Sequence, residues 1–429
     1  MTATIVATVS SHQESHRRFA WAGRNYRIQT AATVVSGLGN AAAPIATAFA
    51  VLETGGSATE VGYVTAARLV PLVLLLLIGG TLADRLPRHH VMVGANLFNA
   101  LSQAALAALV LSGGVRLWQL LLLAAAGGAG QAFYAPASKG VIMQSVSKEH
   151  AAKAFSIFRM AMNGAQIGGA ALGGTLVATV GPGWVLAIDA LAYTVAAGLR
   201  VFLAAEAAPV RSEHPSMVHE LREGWREFVG RRWLWAVVLQ FSVVMTCISA
   251  VEAVYGPVVA QQRLGGARSW GLAMAAFGVG LVSTGVLMAR WQPRRILLVG
   301  NYMVFLLAAP GLSLALNAPL PLIAVAMFVS GAGVTVFGVN WMIALQQEIS
   351  AELFSRVAAY DHLGSIALTP IGTALAGPAA DALGLGGALW TCGITTLLLA
   401  ATAMVVPEIR QLTRAAAPVA PIRETVTTG

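Results

Sequence analysis

The residues best equipped for chemistry in this chain lie where charge is expensive. Arg68, Asp189, Glu252 and the adjacent pair Asp361 and His362 each fall inside a long apolar run. An ionisable group at the centre of a bilayer costs about 2.5–3.5 kcal/mol on insertion scales, so it marks an ion pathway, a counter-ion or a packed pair. Polar stripes accompany these groups. Asp361, Ser365, Thr369 and Thr373 recur at four-residue spacing and share a helix face. Thr33, Ser36, Asn40 and Thr47, with Pro44, form a second stripe, and Gln131, Tyr134 and Ser138 a third. Arg159, Asn163 and Gln166 form a fourth. Such faces must look into protein or water rather than lipid.

The elements that position these groups follow from composition. Of 429 residues, 57% are apolar and 10% are charged, with a mean hydropathy of +0.72; soluble domains carry about 25% charged residues. That excludes a soluble enzyme, a nucleic-acid binder or a disordered scaffold and predicts an all-α membrane protein. A span of about 20 apolar residues crosses the hydrocarbon. On that ruler twelve transmembrane helices are expected, at roughly 26–52, 58–83, 89–112, 116–141, 151–179, 183–205, 233–260, 269–289, 295–316, 319–346, 353–382 and 386–406. The first twenty residues lack a long apolar core, so no cleaved leader is expected there. Cys247 and Cys392 match no ligand spacing and read as apolar filler.

Orientation follows from Lys and Arg. Arg85, Arg88, Lys139, Lys148, Lys153, Arg290, Arg294, Arg295 and Arg356 share one side with the tails and the 206–232 linker, whereas Arg116, Arg263 and Arg268 lie opposite. Both termini are therefore expected in the cytoplasm, with the protein in the cell membrane. In the linker, Met217, Leu221, Trp225 and Phe228 form one apolar face, predicting an amphipathic helix on the inner membrane surface. The expected organisation is a tail (1–25), a six-helix bundle (26–205), the linker (206–232), a second bundle (233–406) and a disordered tail (407–429).

The bundles read as parallel repeats. At an offset of about 200 residues, Gly128-Ala129-Gly130 falls on Gly331-Ala332-Gly333, Gln144 on Gln347, Gly169 on Gly372 and Gly174 on Gly377. An offset of six spans preserves direction through the membrane. Two such halves are a transporter architecture with the substrate site near the midplane, between them.

Here the residues meet a family. Gly80-Thr-Leu-Ala-Asp84-Arg85-Leu-Pro87-Arg88-His89 resembles the loop signature of the major facilitator superfamily, with Pro87 and His89 in place of its usual Gly and base. Gly164, Gly168, Gly169, Gly173 and Gly174 resemble that superfamily's antiporter motif, with Ala170 at its Pro position. Further stretches, including Ala132-Phe133 with Pro136-Ala137 and Leu345-Gln346-Gln347-Glu348, are similar to the branch of macrolide efflux proteins and the enterobactin exporter. The resemblance implies secondary export of an amphipathic antibiotic, siderophore or other metabolite by proton antiport. It also implies that Asp84, with Gly80, Arg85 and Arg88, gates the carrier. It places Asp361, Glu252 and Arg68 on helices lining the cavity or seam. Asp361 and Glu252 are then the proton-coupling candidates, with His362 as relay and Arg68 as counter-ion. Asn40, Gln131, Tyr134, Asn163, Gln166, Asn340 and Trp341 are the cavity candidates. The sixth helix is peripheral in that family, so Asp189 reads as a structural charge.

The sequence holds no GxxxxGK[ST] phosphate loop, HExxH or GxSxG, which argues against an enzyme. No cofactor or metal is expected, only the proton gradient, a small-molecule substrate and the lipid bilayer. No nucleic-acid partner is expected, and the monomer is expected to function alone. Uptake or facilitated diffusion on the same fold, and a non-transporting membrane sensor, are the competing readings.

Overall fold

The computed structural model describes residues 22–147, 150–203, 217–288 and 290–414. Those residues are almost wholly helical. Within hydrocarbon, a chain must satisfy its backbone hydrogen bonds internally, and a helix does so within each segment. The first group comprises α1 (Arg24–Glu53), α2 (Ala58–Arg85), α3 (Arg88–Leu111), α4 (Leu117–Gln144), α5 (Ala151–Val180) and α6 (Pro182–Val201). After α7 (Met217–Gly230) come α8 (Arg232–Leu264), α9 (Ala267–Met288), α10 (Ile296–Ala315) and α11 (Leu320–Glu348). The chain continues through α12 (Ala351–Ile366), α13 (Thr369–Ala403) and α14 (Pro407–Gln411). Among the described residues, nine helices are long and apolar enough to cross a membrane. The fold is an all-α, multi-span membrane fold.

Helix bounds lie within about one turn of the predicted spans, with three departures. The eleventh span carries a two-residue turn at Ala367 and Leu368, between α12 and α13, and both residues keep right-handed helical dihedrals. Within α13, Gly384 takes φ 72° and ψ 155°, and this non-helical residue separates the predicted eleventh and twelfth spans. A left-handed φ of that kind is strained for residues with a Cβ. Finally, α8 contains two π-helical turns, Val251–Tyr255 and Ala260–Leu264.

Two surface segments are more structured than expected. The amphipathic helix α7 docks on α12 and α8. Gly224 leaves no room for a Cβ against Arg356, Glu223 pairs with Arg356 at 2.5 Å, and the Trp225 ring lies 5.4 Å from Tyr360. Phe228 is buried in the core at that end. The side chains of Met217 and Leu221 lie outside the described residues. The tail after Pro407 is ordered as far as Arg414: α14 forms, Thr413 bridges Arg295, and the Arg414 amide donates to the Arg294 carbonyl at 2.7 Å. Residues 415–429, called disordered from sequence, lie outside the described residues.

Small residues set the seams. Helices in lipid gain little from burying apolar surface against one another, so close packing holds them. Gly174 of α5 meets Gly271 of α9, and Gly377 of α13 meets the Thr59 backbone of α2. Gly169 lies against the Leu38 carbonyl of α1, and Gly372 against the Thr246 side chain of α8. A methyl group at any of these four glycines would collide with the facing helix.

Candidate functional site

Two cavities adjoin at Asn40 of α1. One, of ≈ 260 Å³, lies among α1, α2, α3, α4 and α8; Asn40, Thr47, Thr65, Arg68, Gln103 and Ser249 give it polar points on a wall of Val, Leu, Ala and Pro. The other, of ≈ 210 Å³, lies among α1, α5 and α9, with Asn40, Asn163 and Gln166 facing Ile167, Met274, Phe277 and Leu281. Three of the predicted cavity residues and the predicted counter-ion Arg68 thus line two hollows that share Asn40. Such a lining offers hydrogen bonds on an apolar wall, which suits an amphipathic molecule.

A buried polar network backs the larger cavity. Arg68 Nη2 donates to Asn40 Oδ1 at 2.6 Å, and the Tyr193 hydroxyl donates to the same oxygen at 3.1 Å. Gln103 Nε2 donates to Asp189 Oδ2 at 2.9 Å; Asp189 is fully buried, and its Oδ1 has no hydrogen-bond partner. Gln103 lies on α3, and Tyr193 and Asp189 lie on α6, the helix expected at the periphery. Gln103 forms part of the cavity wall.

A second network stands apart from both cavities. Arg200, also fully buried, donates from Nε to Gln29 Oε1 at 3.0 Å and from Nη2 to Thr33 Oγ1 at 3.0 Å and the Tyr134 hydroxyl at 2.7 Å. Its guanidinium stands 4.9 Å from the centre of the Tyr134 ring, and Gln29 continues to Ser138 at 2.8 Å. Tyr134 therefore serves this cluster rather than the described cavities. Gln131, on the same helix, lines neither of them.

The candidates on α8 to α12 are scattered. Glu252 sits in the first π-helical turn of α8, with Oε1 shut off from solvent and unpartnered; its neighbours Ser249 and Ala253 line the larger cavity. Asp361 lies within reach of the Trp341 indole, and the side chain of its neighbour His362 is exposed. Asn340, predicted to face the cavity, is buried and donates to the Val336 carbonyl of its own helix at 2.9 Å. Trp341 is packed into the core, stacked with Phe337 at 6.1 Å and edge-on to Trp233 at 5.5 Å. Neither borders either of the two cavities described above. Cys247 and Cys392 share one small hollow with Thr396, so they are neighbours rather than separate filler. Among the described residues, no group of three or more His, Cys, Asp or Glu could hold a metal.

The motif residues divide by place. Gly80, Asp84 and Arg85 form the last turns of α2, their side chains outside the described residues, and Arg88 opens α3. Gly168, Gly169, Gly173 and Gly174 give α5 two close faces, toward Leu38 and Ala42 of α1 and toward Gly271 of α9. Gly164 faces open space. One inter-helix contact had no signal in the sequence reading: Thr59 Oγ1 of α2 donates to Asp381 Oδ2 of α13 at 2.8 Å. It lies at the same end of the bundle as the α1–α2 loop.

Apolar helices packed through glycine seams around two amide-lined hollows define a multi-pass membrane transporter of small molecules. The Major Facilitator Superfamily profile matches residues 30–366, and the chain belongs to that superfamily. It is related to drug-efflux proteins. It is 29% identical over 411 residues to the multidrug efflux pump Tap of Mycolicibacterium fortuitum, covering 90% of this chain and 97% of that protein. It is 24% identical over 408 residues to macrolide efflux protein A of Streptococcus pyogenes, covering 91% and 96%. Among solved structures, the nucleoside transporter NupG shares the fold with a TM-score of 0.70 at 10% identity, covering 89% of this chain and 98% of that one. An inward-facing, unoccupied bacterial homologue of the lysosomal transporter Spinster gives 0.67 at 14% identity, covering 92% and 98%.

Proposed function

We infer that this protein exports an amphipathic small molecule across the cell membrane by alternating access, driven by proton antiport. The observation that carries this reading is the pair of hollows meeting at Asn40, where Asn163, Gln166 and Arg68 punctuate an apolar wall. Relatives named for multidrug and macrolide efflux support export of antibiotics, siderophores or similar metabolites rather than nutrient uptake.

In this reading twelve spans form two parallel six-helix halves, 26–205 and 233–406, joined by the 206–232 linker and flanked by tails 1–25 and 407–429. The nine clear spans, together with α4, α5 and the break at Gly384, support that count. The repeat-related glycines support the symmetry. Gly174 and Gly377 each serve a seam between halves, and Gly169 and Gly372 each face the first helix of a half. The excess of bases on one side sets both termini in the cytoplasm. The α1–α2 end then faces outward and is closed by Thr59, Gly62, Gly377 and Asp381. At the other end, among the described residues, α12 packs chiefly on α7, α8 and α11. Asp84, with Gly80, Arg85 and Arg88, gates that inner end. A membrane carboxylate carries the proton, with Glu252 and Asp361 as candidates from sequence, and the monomer is the working unit.

The test is transport by inside-out vesicles carrying the full chain, with erythromycin and ethidium as probes. Uptake into the vesicles is expected when their interior is acidified and should collapse on adding a protonophore. Gradient-independent equilibration of both probes would replace export with facilitated diffusion.

A further inference from the structure

Asp189 is the carboxylate most fully withdrawn from solvent among those described, and its surroundings are those of a switch rather than of a settled ion pair. Its side chain is fully buried, one oxygen is bonded to Gln103 at 2.9 Å, and the other has no partner. The unpartnered Oδ1 is pressed toward α1 at Gly39, where an added Cβ would overlap it. A buried carboxylate with one oxygen unsatisfied is costly when ionised, unless a cation joins it.

That cation is at hand but engaged elsewhere. Arg68 is the charged group acting on Asp189 among the described residues, yet its Nη2 is given to Asn40 at 2.6 Å. Asn40 Oδ1 is held also by Tyr193, one turn along α6 from Asp189. Tyr193 in turn feels Tyr134 and Arg200, further along the same interface. Asn40, Arg68 and Gln103 all line the larger cavity. The proton site is therefore one hydrogen bond from the space in which a substrate would sit.

We propose that Asp189 is the proton-coupling residue, and that Arg68 exchanges between Asn40 and Asp189 as the proton comes and goes. When Asp189 is neutral, Oδ1 carries the proton and Arg68 stays on Asn40, the arrangement seen here. When the carboxyl releases its proton to water in the cavity, the resulting carboxylate draws the Arg68 guanidinium across. Asn40 Oδ1 then keeps the Tyr193 bond alone and has a lone pair to offer at the residue that both hollows share. Substrate affinity and protonation become linked because each changes the equilibrium that governs the other. Among the described residues, no cation acts on Glu252 or Asp361 in this way. This assignment rests on the proton-driven export proposed above.

The experiment compares wild type with Asp189→Asn in inside-out vesicles, using ethidium and erythromycin, for gradient-driven uptake and for counterflow exchange at a series of pH values. The expected result is driven uptake at background level with counterflow retained and no longer dependent on pH. Gln103→Leu provides a second arm and covers poor insertion of Asp189→Asn. It removes a donor that bonds the ionised carboxylate more strongly than the neutral carboxyl, so the pH midpoint of counterflow should move toward alkaline values by roughly one unit. Driven uptake at wild-type level in Asp189→Asn, or an unmoved midpoint in Gln103→Leu, overturns the assignment. Absence of gradient-driven uptake in the wild type instead removes the export reading itself.

Discussion

Helices α1 to α6 and helices α8 to α13 are packed from different materials. In the first group the interior is polar and directional: Asp189 is bonded to Gln103, and Arg200 reaches Gln29, Thr33 and Tyr134 across three helices. In the second group the interior holds a ring stack, with Phe241 against Phe337 at 4.4 Å and Trp341 and Trp233 beyond. A single amide relay runs beside it, from Gln240 to Asn301 to the Ala400 carbonyl. Hydrogen bonds in a dry interior are few-state objects that a proton can redirect, whereas stacked rings resist change of shape. The first group is thus suited to chemistry and the second to holding form.

The largest effect should come from moving charge in each group in turn. Arg68→Gln should abolish gradient-driven uptake of ethidium, because the cation that answers Asp189 is gone. The double variant Glu252→Gln with Asp361→Asn should keep most of that uptake. The reverse pattern would place the chemistry in the second group and make the network around Asn40 merely structural.

The next effect tests whether the groups are alike where they meet. Gly174→Leu and Gly377→Leu each insert a branched side chain into a seam that does not hold even a Cβ. Both should retain membrane levels and lose transport to a similar degree, measured in the same vesicles. Loss in one variant alone would mean that only that seam closes during transport, and that the repeat is one of sequence rather than of mechanism.

Much of the fold and part of the candidate site were legible in the sequence, and the unread part has physical causes. Span positions follow from hydropathy, because the bilayer imposes the length and the polarity together. Asn40, Asn163 and Gln166 could be drawn together because an amide inside an apolar helix must find protein or water. Asn340 met the same criterion, yet its amide turned back onto the Val336 carbonyl, a rotamer choice that no spacing reveals. Arg200 lies inside the sixth predicted span and belongs to no motif. Its role depends on Gln29 and Tyr134, which lie 171 and 66 residues away in sequence. Asp189 was read as peripheral because its helix is peripheral in similar proteins, but Gln103 carries its influence to the cavity wall. The π-helical turn at Glu252 has no residue signature at all.

A smaller effect should follow from loosening the second group's stack. Phe337→Ala removes the ring between Phe241 and Trp341 and leaves a void. Core truncations of this kind cost about 3–5 kcal/mol in soluble proteins, and less is expected here because lipid-embedded helices lack much of the hydrophobic term. The variant should melt at lower temperature in detergent while keeping the wild-type KM for ethidium. A changed KM at unchanged melting temperature would show that the stack shapes the cavity after all.

The smallest effect concerns the bond that joins the two groups. Thr59 Oγ1 donates to Asp381 Oδ2 at 2.8 Å at the α1–α2 end. Thr59→Val keeps the branched shape but removes the donor, so packing against Gly377 is largely preserved and the hydrogen bond alone is lost. A single bond of this kind is worth about 0.5–1.5 kcal/mol net, equivalent to roughly a 2- to 12-fold change in an equilibrium constant. If it forms only while this end is closed, its removal should favour the state open at the α1–α2 end by that factor. The measurement is the rate at which an impermeant thiol reagent labels a cysteine introduced at Val61, in a background where Cys247 and Cys392 are replaced. Asp381→Asn should act in the same direction but less, because its amide oxygen still accepts from Thr59. Equal labelling of Thr59→Val and its parent would mean that the bond survives opening and travels with both helices. Gly174 and Gly377 would then bear the closure without it.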